Sequence, residues 1–321
     1  LNKNLEDEMR ANFSYPRRLV LMLVLTLLGF SACDQPPKQT ISLQNVRTLP
    51  APEPTPSGKP LTLVVGSMIT PEEGYGYYRQ LIDYLAVGLD KKISVRDPGN
   101  YAEVNRLLEN GEADIAFVCA GPYVDGQEHF GLQLVAAPQV KGEAAYYSNL
   151  IVPAVSAAQS LADLRGSNFA FADPLSNSGA LVPKSKLMER GETPESFFNS
   201  LIYTYGHDRS IRAVADQLVD GAAVDSLIWD YLISNEPELK TRVRVIERFG
   251  PYGIPPVVIS PKADNDILPR LRTLLTQMHQ DPAGQKILAG MHIERFVMVD
   301  DAAYDSVREL QKRLNEQGSR R

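Results

Sequence analysis

Apolar positions along the chain follow two alternating periods. The runs LTLVVGSM (61–68), KISVRDP, ADIAFVCAG, LQLVAAPQV and YYSNLIVPA are short, rich in β-branched residues and bounded by turn residues, and they predict strands. Between them, GYYRQLIDYLAVGL places Tyr77, Leu81, Tyr84 and Leu85 at helical spacing, and YAEVNRLLENG keeps the same period. Pro138 and Pro153 mark strand ends or sheet edges. A second series follows. SLADLRG predicts a short helix capped by Ser160, SNFAFADP a strand, and SGALVPKSKLMERG a helix stopped by Gly191. LIYTYG predicts a strand, and DRSIRAVADQLVDG a helix capped by Asp208 and ended by Gly221. AAVDSLIWDYLI starts as a strand and turns helical, and TRVRVIERFG is a strand. PYGIPPVVISP reads as extended, and the remainder is helical in DILPRLRTLLTQMHQ, PAGQKILAG and AAYDSVRELQKRLNEQ.

Alternating strands and helices predict an α/β protein with parallel sheets covered by helices. Two such series, joined near 146–154 and again near 251–261, predict two lobes with two crossover segments. One lobe spans 61–148 plus 258–321, and the other 149–257. Ligands in open α/β sheets sit at the carboxyl ends of the strands, here in the cleft between lobes. Closure of the lobes on a small ligand is the expected motion.

The sequence before residue 61 has another character. Met9 reads as a start, followed by Arg10, Arg17, Arg18 and the apolar run LVLMLVLTLLGF (19–30). That run is shorter than the roughly 20 residues of a membrane span and suits the core of a signal peptide. It ends in FSAC, which resembles a bacterial lipobox with Cys33 as the lipidated first residue. A plain signal peptide cut nearby is the alternative. Asp34 resembles an inner-membrane retention signal. Residues 1–32 are therefore expected to be upstream sequence and leader, and 33–60, where proline recurs without apolar periodicity, an extended tether. The expected location is the periplasmic face of the inner membrane, held by lipid.

With 33 Lys and Arg against 39 Asp and Glu, the net charge is -6. This argues against a nucleic-acid partner held by phosphate neutralisation. A small anion is not excluded, because a few backbone amides act locally. If Cys33 carries lipid, Cys119 has no disulfide partner among the 2 cysteines; its apolar strand pattern makes it a small core residue.

Candidate chemistry gathers at strand ends. In DPLSNSGALVP, Ser176, Asn177, Ser178 and Gly179 lie between a strand and a helix. The first amides of that helix lack intrahelical partners, its dipole adds partial positive charge, and Gly179 allows close backbone approach. The serine hydroxyls donate as well, so the turn could hold a phosphoryl group without Lys or Arg. Ordinary N-capping by Ser176 or Ser178 is the other reading. His207 follows the strand LIYTYG, where it could donate to a phosphoryl oxygen or be a loop histidine. Asp225 ends AAVDS and either caps the next helix or accepts a proton from a ligand. Tyr75, Tyr77 and Tyr78 follow the first strand, Tyr123 follows CAGP, and Tyr146 and Tyr147 enter the first crossover. His129, His279 and His292 show no ligand spacing, so neither metal nor cofactor is expected. No G-x-S-x-G, H-E-x-x-H or Walker loop occurs, and a Cys119/His207 pair lacks a third partner; no catalytic residue is expected.

Four blocks, DIAFVCAGPYV, ADPLSNSGALVP, GHDRSIRAVADQLVDGAAVDS and GPYGIPPVVISP, occur in this order between 61 and 299. Together they resemble the periplasmic phosphate/phosphite/phosphonate-binding proteins of ABC importers. The resemblance implies a two-lobed, type II periplasmic-binding-protein fold. It implies that the turn 176–179 grips phosphoryl oxygens and that His207 lies beside it. It implies that tyrosines of the first lobe close over the ligand: Tyr123, one of Tyr75 or Tyr77, and then Tyr147. In aminophosphonate binders an acidic residue near the position of Asp225 holds the amine. SNS departs from the Ser-Thr-Ser run expected at phosphonate sites, and the small-residue CAGP loop points to a compact ligand. The implied function is a solute-binding lipoprotein that captures a phosphonate, phosphite or phosphate for an ABC permease. A sensory lipoprotein signalling to a membrane partner would share the fold, and an enzyme on the same scaffold is a third reading.

Overall fold

The computed structural model describes residues 59–66 and 71–318. The leader at 1–32, the lipidation candidate Cys33 and the tether up to residue 58 lie outside them. Among the described residues no helix is long and apolar enough to cross a membrane.

The first series runs Leu61–Val65 (β1), Pro71–Leu89 (α1), Ile93–Arg96 (β2), Tyr101–Asn110 (α2), Ile115–Phe117 (β3), Ala120–Phe130 (α3) and Gln133–Gln139 (β4). The second runs Ala145–Pro153 (β5), Asn168–Phe171 (β6), Val182–Met188 (α4), Pro194–Phe197 (α5), Ser200–Tyr203 (β7), His207–Ala215 (α6), Gly221–Asp225 (β8), Ser226–Asn235 (α7), Leu239–Arg242 (α8) and Val243–Gly253 (β9). Val257–Ile259 (β10), Ile267–Gln277 (α9), Pro282–Gly290 (α10), Arg295–Val297 (β11) and Asp305–Gly318 (α11) complete the chain.

Two sheets result, in the orders β11-β4-β10-β3-β1-β2 and β7-β6-β8-β5-β9. The chain leaves the first sheet after Gln139, enters the second at Ala145, and returns between Gly253 and Val257. Each sheet is mixed rather than wholly parallel. β1 runs parallel to β2 and β3, and β6 parallel to β7 and β8. The antiparallel pairings are β10 with β3 and β4, and β5 with β8 and β9, beside the crossings, and β11 with β4 at the sheet edge. A strand that arrives from the other sheet enters without a crossover helix, so nothing forces it parallel.

The strands nearest the site are apolar on both faces. Leu63, Val64, Ile115, Ala116, Val257 and Val258 are fully buried under helix residues such as Leu85, Leu108 and Leu275. One face of the second sheet carries Phe169, Phe171, Phe197 and Phe198, with Phe169 stacked on Phe198 at 4.4 Å. The other face carries Ile211, Val214, Val224 and Trp229. Each such side chain contributes about 1.5–3 kcal/mol by burial.

Helix ends place the functional residues. Asn100 accepts the Glu103 amide at 2.8 Å and starts α2 with Tyr101 in its first turn. The expected boundaries of the helix at 208–221 shift: α6 begins at His207 behind Gly206, Asp208 lies inside its first turn, and Gly221 opens β8. The reason is a turn over 216–220, pinned where the Asp220 amide donates to the Asn168 carbonyl at 2.9 Å. Helix α11 packs against both α3 and α4. Its Leu310 meets Leu181 and Val182, and Gln311 Nε2 donates to the Gly121 carbonyl at 3.0 Å.

Candidate functional site

The carboxyl ends of β6 and β8, the segment after β3 and the start of β5 meet in one buried polar cluster. Ser148, Ser176, Asn177, Ser178, His207, Asp225, Cys119, Tyr101 and Tyr146 all lie there with almost no solvent exposure. The lobes touch closely at this point. A Cβ at Gly121, in the first turn of α3, would overlap the Leu175 carbonyl oxygen, and the Tyr101 amide donates to Asp173 Oδ2 at 3.0 Å.

The turn at 176–181 is built around Ser176. Its Oγ accepts the Gly179 amide at 3.1 Å, and its carbonyl takes the amides of Ala180 and Leu181 at 3.0 and 2.9 Å. A wide five-residue turn, Asn177–Leu181, therefore precedes α4. Gly179 is needed for contact: a Cβ there would stand 2.5 Å from Ala172 Cβ and 2.9 Å from His207 Cε1.

Both nitrogens of His207 are engaged. Nδ1 accepts the Asp225 amide at 3.1 Å, so the ring proton sits on Nε2, which lies 3.3 Å from Ser176 Oγ and donates to it. Burial lowers the imidazole to about 3, so the ring is neutral at physiological pH. This tautomer also decides a chemical question. A Ser–His pair activates its serine only when the facing nitrogen carries the lone pair; here that nitrogen carries the proton.

Asp225 serves two ends. Its Oδ1 caps α7 by accepting the Leu227 amide at 2.7 Å, which is the helix-cap reading of this residue. Its Oδ2 is buried and meets no hydrogen-bond partner among the described residues. Burial raises its carboxyl to about 7. The nearby phenols respond: burial, with Asp225 adding to it, pushes Tyr78, Tyr101 and Tyr146 above their ordinary range.

Tyr146 OH accepts from Asn177 Nδ2 at 3.0 Å and lies 3.3 Å from Cys119 Sγ. The Cys119 thiol is raised, by burial and then by Asp225, so it is an inert core thiol rather than a nucleophile. Ser148, opposite Asp225 in the β5–β8 pair, donates to the Ser178 carbonyl at 2.6 Å. Among the described residues, the Ser178 and Tyr101 hydroxyls and Asn177 Oδ1 meet no partner either. A buried polar group left this way costs about 1–3 kcal/mol, so the cluster is arranged for a polar occupant.

Of the candidates, the structure brings Ser176, Asn177, Ser178, Gly179, His207 and Asp225 together. Ser176 and His207 have their polar atoms bound to protein, so they hold the turn in shape, while Ser178 and Asp225 keep free polar atoms. Tyr123 is elsewhere: its hydroxyl donates to Asp301 Oδ1 at 2.5 Å and its ring lies edge-on to Tyr304. Tyr147 stacks under Arg248, 3.6 Å from the guanidinium carbon. It alternates with Tyr146 across β5, so Tyr146 is the one aimed at the cluster. Tyr75 and Tyr77 lie in α1, and their side chains are outside the described residues. Tyr101 and Ser148 had no place among the candidates. Tyr101 follows the capping Asn100 in the loop between β2 and α2, a signal that strand-end reasoning could have used. Ser148 shows itself only through strand register. Among the described residues no group of three His, Cys, Asp or Glu could hold a metal.

Two α/β sheets joined by two crossings, with a sealed cluster of polar groups at the strand ends where they meet, define a two-lobed binding protein. The family model of ABC-transporter phosphonate periplasmic substrate-binding proteins matches residues 63–304, and the chain belongs to this family. It captures its solute in the periplasm for an importer. In fold it is similar to a binding protein component of an ABC phosphonate transporter from Pseudomonas aeruginosa, with a TM-score of 0.73 and 20% identity over 79% of this chain and 86% of that one. It is also similar to PhnD1 from Prochlorococcus marinus, solved with methylphosphonate, with a TM-score of 0.72 and 17% identity over 80% of this chain and 98% of that one. A Xanthomonas citri protein solved with chloride gives a TM-score of 0.64 and 21% identity over 80% and 99%.

Proposed function

We propose that the solute is a phosphorus oxyanion carrying one donor, and that it sits against Ser178, Tyr101 and Asp225. The observation that carries this is the set of orphaned polar atoms in one sealed cluster. Two hydroxyls there can donate to acceptor oxygens, and Asp225 Oδ2 takes a P–OH or an N–H. Phosphonate monoanion, hydrogen phosphite and hydrogen phosphate share that chemistry, and methylphosphonate is bound by one fold relative. Ser176, Asn177, Gly179 and His207 shape the cradle, and no residue of it is assigned catalysis. By sheet membership we assign one lobe to 61–139 with 257–321 and the other to 145–253, with crossings at 139–145 and 253–257, a few residues from the boundaries 148/149 and 257/258 expected from sequence. Cys33 is the proposed lipid attachment, which would hold the protein at the periplasmic face of the inner membrane beside an ABC permease.

Calorimetric titration of the full chain with phosphate, phosphite, methylphosphonate and aminoethylphosphonate tests the reading. One of these should bind. Ser178→Ala should weaken it by roughly tenfold, since an unpaired phosphoryl oxygen costs about 1–3 kcal/mol. Absence of heat with all four would overturn it.

A further inference from the structure

Beside Asp225 the structure has a chamber of about 500 Å³. Ligand pockets commonly span roughly 300–1,000 Å³, so this space suits an organic group and far exceeds what a bare tetrahedral oxyanion fills. Both lobes supply its walls. Tyr78, Phe117 and Phe296 come from the first-sheet lobe, and Leu227, Ile228 and Ile233 from α7. Tyr78 and Phe117 meet edge to face at 5.3 Å. Of the charged residues lining it, Lys141 Nζ pairs with Asp230 Oδ2 at 2.8 Å and Glu294 Oε2 accepts the Gly142 amide at 3.0 Å, while Lys240 and Asp225 also reach the lining. Asp225 belongs to both the polar cluster and the chamber lining, and so joins them.

We infer that the chamber is a specificity subsite for the organic substituent, and that the solute is a phosphonate or phosphate monoester bearing a bulky apolar group, aryl or branched alkyl. The inference rests on the oxyanion reading above, because it places the phosphoryl group against Ser178 and Tyr101. From there the substituent passes Asp225 into the apolar walls. A methyl group would leave most of those walls without contact. A long-chain amine would have to compete for Asp230 and Glu294, whose oxygens already serve Lys141 and the Gly142 amide, or lie against apolar walls, which is costly for a charge. Each further apolar group accommodated is worth roughly tenfold or more in affinity.

The experiment is titration of the full chain with phenylphosphonate, methylphosphonate and inorganic phosphate. It is repeated with Ile233→Trp on α7 and Met291→Trp in the first-sheet lobe, both at the chamber lining, so that each fills it from one side. The expected result is phenylphosphonate binding at least tenfold tighter than methylphosphonate in the wild type. Either Trp variant should abolish that preference and leave methylphosphonate affinity within about twofold, which also shows that the variant is folded. Equal or weaker binding of phenylphosphonate, with methylphosphonate bound, would overturn the subsite and leave the oxyanion reading standing. A preference that survives both variants would also overturn it. So would loss of both ligands in both variants with circular dichroism unchanged, because the chamber would then belong to the oxyanion site itself. No binding of any of the three would overturn the subsite, and the oxyanion reading with it if phosphite and aminoethylphosphonate also give no heat.

Discussion

Removing the Asp225 carboxyl while keeping its shape should change how stability depends on pH. Asp225 lies fully inside the protein, and its native carboxyl titrates near about 7, against about 3.9 in an unfolded chain. The native state therefore holds the proton where the unfolded state has released it. The stabilisation is fully present below about pH 4 and is lost as pH rises through 7. From one pKa to the other the loss is about 4 kcal/mol, and between pH 6 and pH 8 about 1.4 kcal/mol. His207 works in the opposite sense. Its native value of about 3 against about 6.5 unfolded means that stability falls as pH drops below 6.5. Between pH 6 and 8 this returns about 0.8 kcal/mol. The wild-type curve alone is thus nearly flat, and the informative quantity is the difference from Asp225→Asn. The asparagine keeps an acceptor for the Leu227 amide and has nothing to ionise. Urea unfolding of ligand-free protein at pH 6, 7 and 8 should show the variant gaining on the wild type by about 1.4 kcal/mol across that range. At an m-value of about 1.5–3 kcal/mol per M, this is a midpoint displacement of about 0.5–1 M. A constant difference across the three pH values would refute a native carboxyl titrating near neutrality.

Other consequences are simpler to measure. Tyr123→Phe should leave ligand affinity unchanged and cost about 1 kcal/mol in unfolding free energy, because the hydroxyl serves Asp301 and not the cluster; weaker ligand binding would contradict that placement. Gly121→Ala should impair closure, since its Cβ would overlap the Leu175 carbonyl oxygen across the lobes. Small-angle scattering with saturating ligand should then show a more open particle than the wild type. Cys119, fully buried, should react with a thiol reagent only through opened states, and more slowly once ligand is added; fast labelling unaffected by ligand would contradict the sealed site. His207→Ala strips a partner from the Asp225 amide and from Ser176. It should lower the unfolding free energy by about 1–3 kcal/mol at pH 8, as chemical denaturation would record.

Local rules made much of this protein legible. Alternating strand and helix periods define an α/β fold in two series, and the run 176–179 is legible as a strand-to-helix turn, because turn chemistry and capping depend on neighbours a few residues apart. The same locality explains what stayed hidden. Whether Tyr146 or Tyr147 faces inward depends on the register of β5 against β8, and a shift by one residue exchanges them. Whether Tyr123 reaches a ligand depends on Asp301, 178 positions away in the chain, which no window of sequence contains. Sequence offered a helix cap or a proton acceptor for Asp225; the packing gives one oxygen to the cap and leaves the other without a partner among the described residues. The protonation of His207 is tertiary in origin too: burial keeps the ring neutral, and the Asp225 amide selects the nitrogen that carries the proton. Residue types thus determined the chemistry on offer. Long-range packing decided which groups lost water, which found partners, and which were left without one.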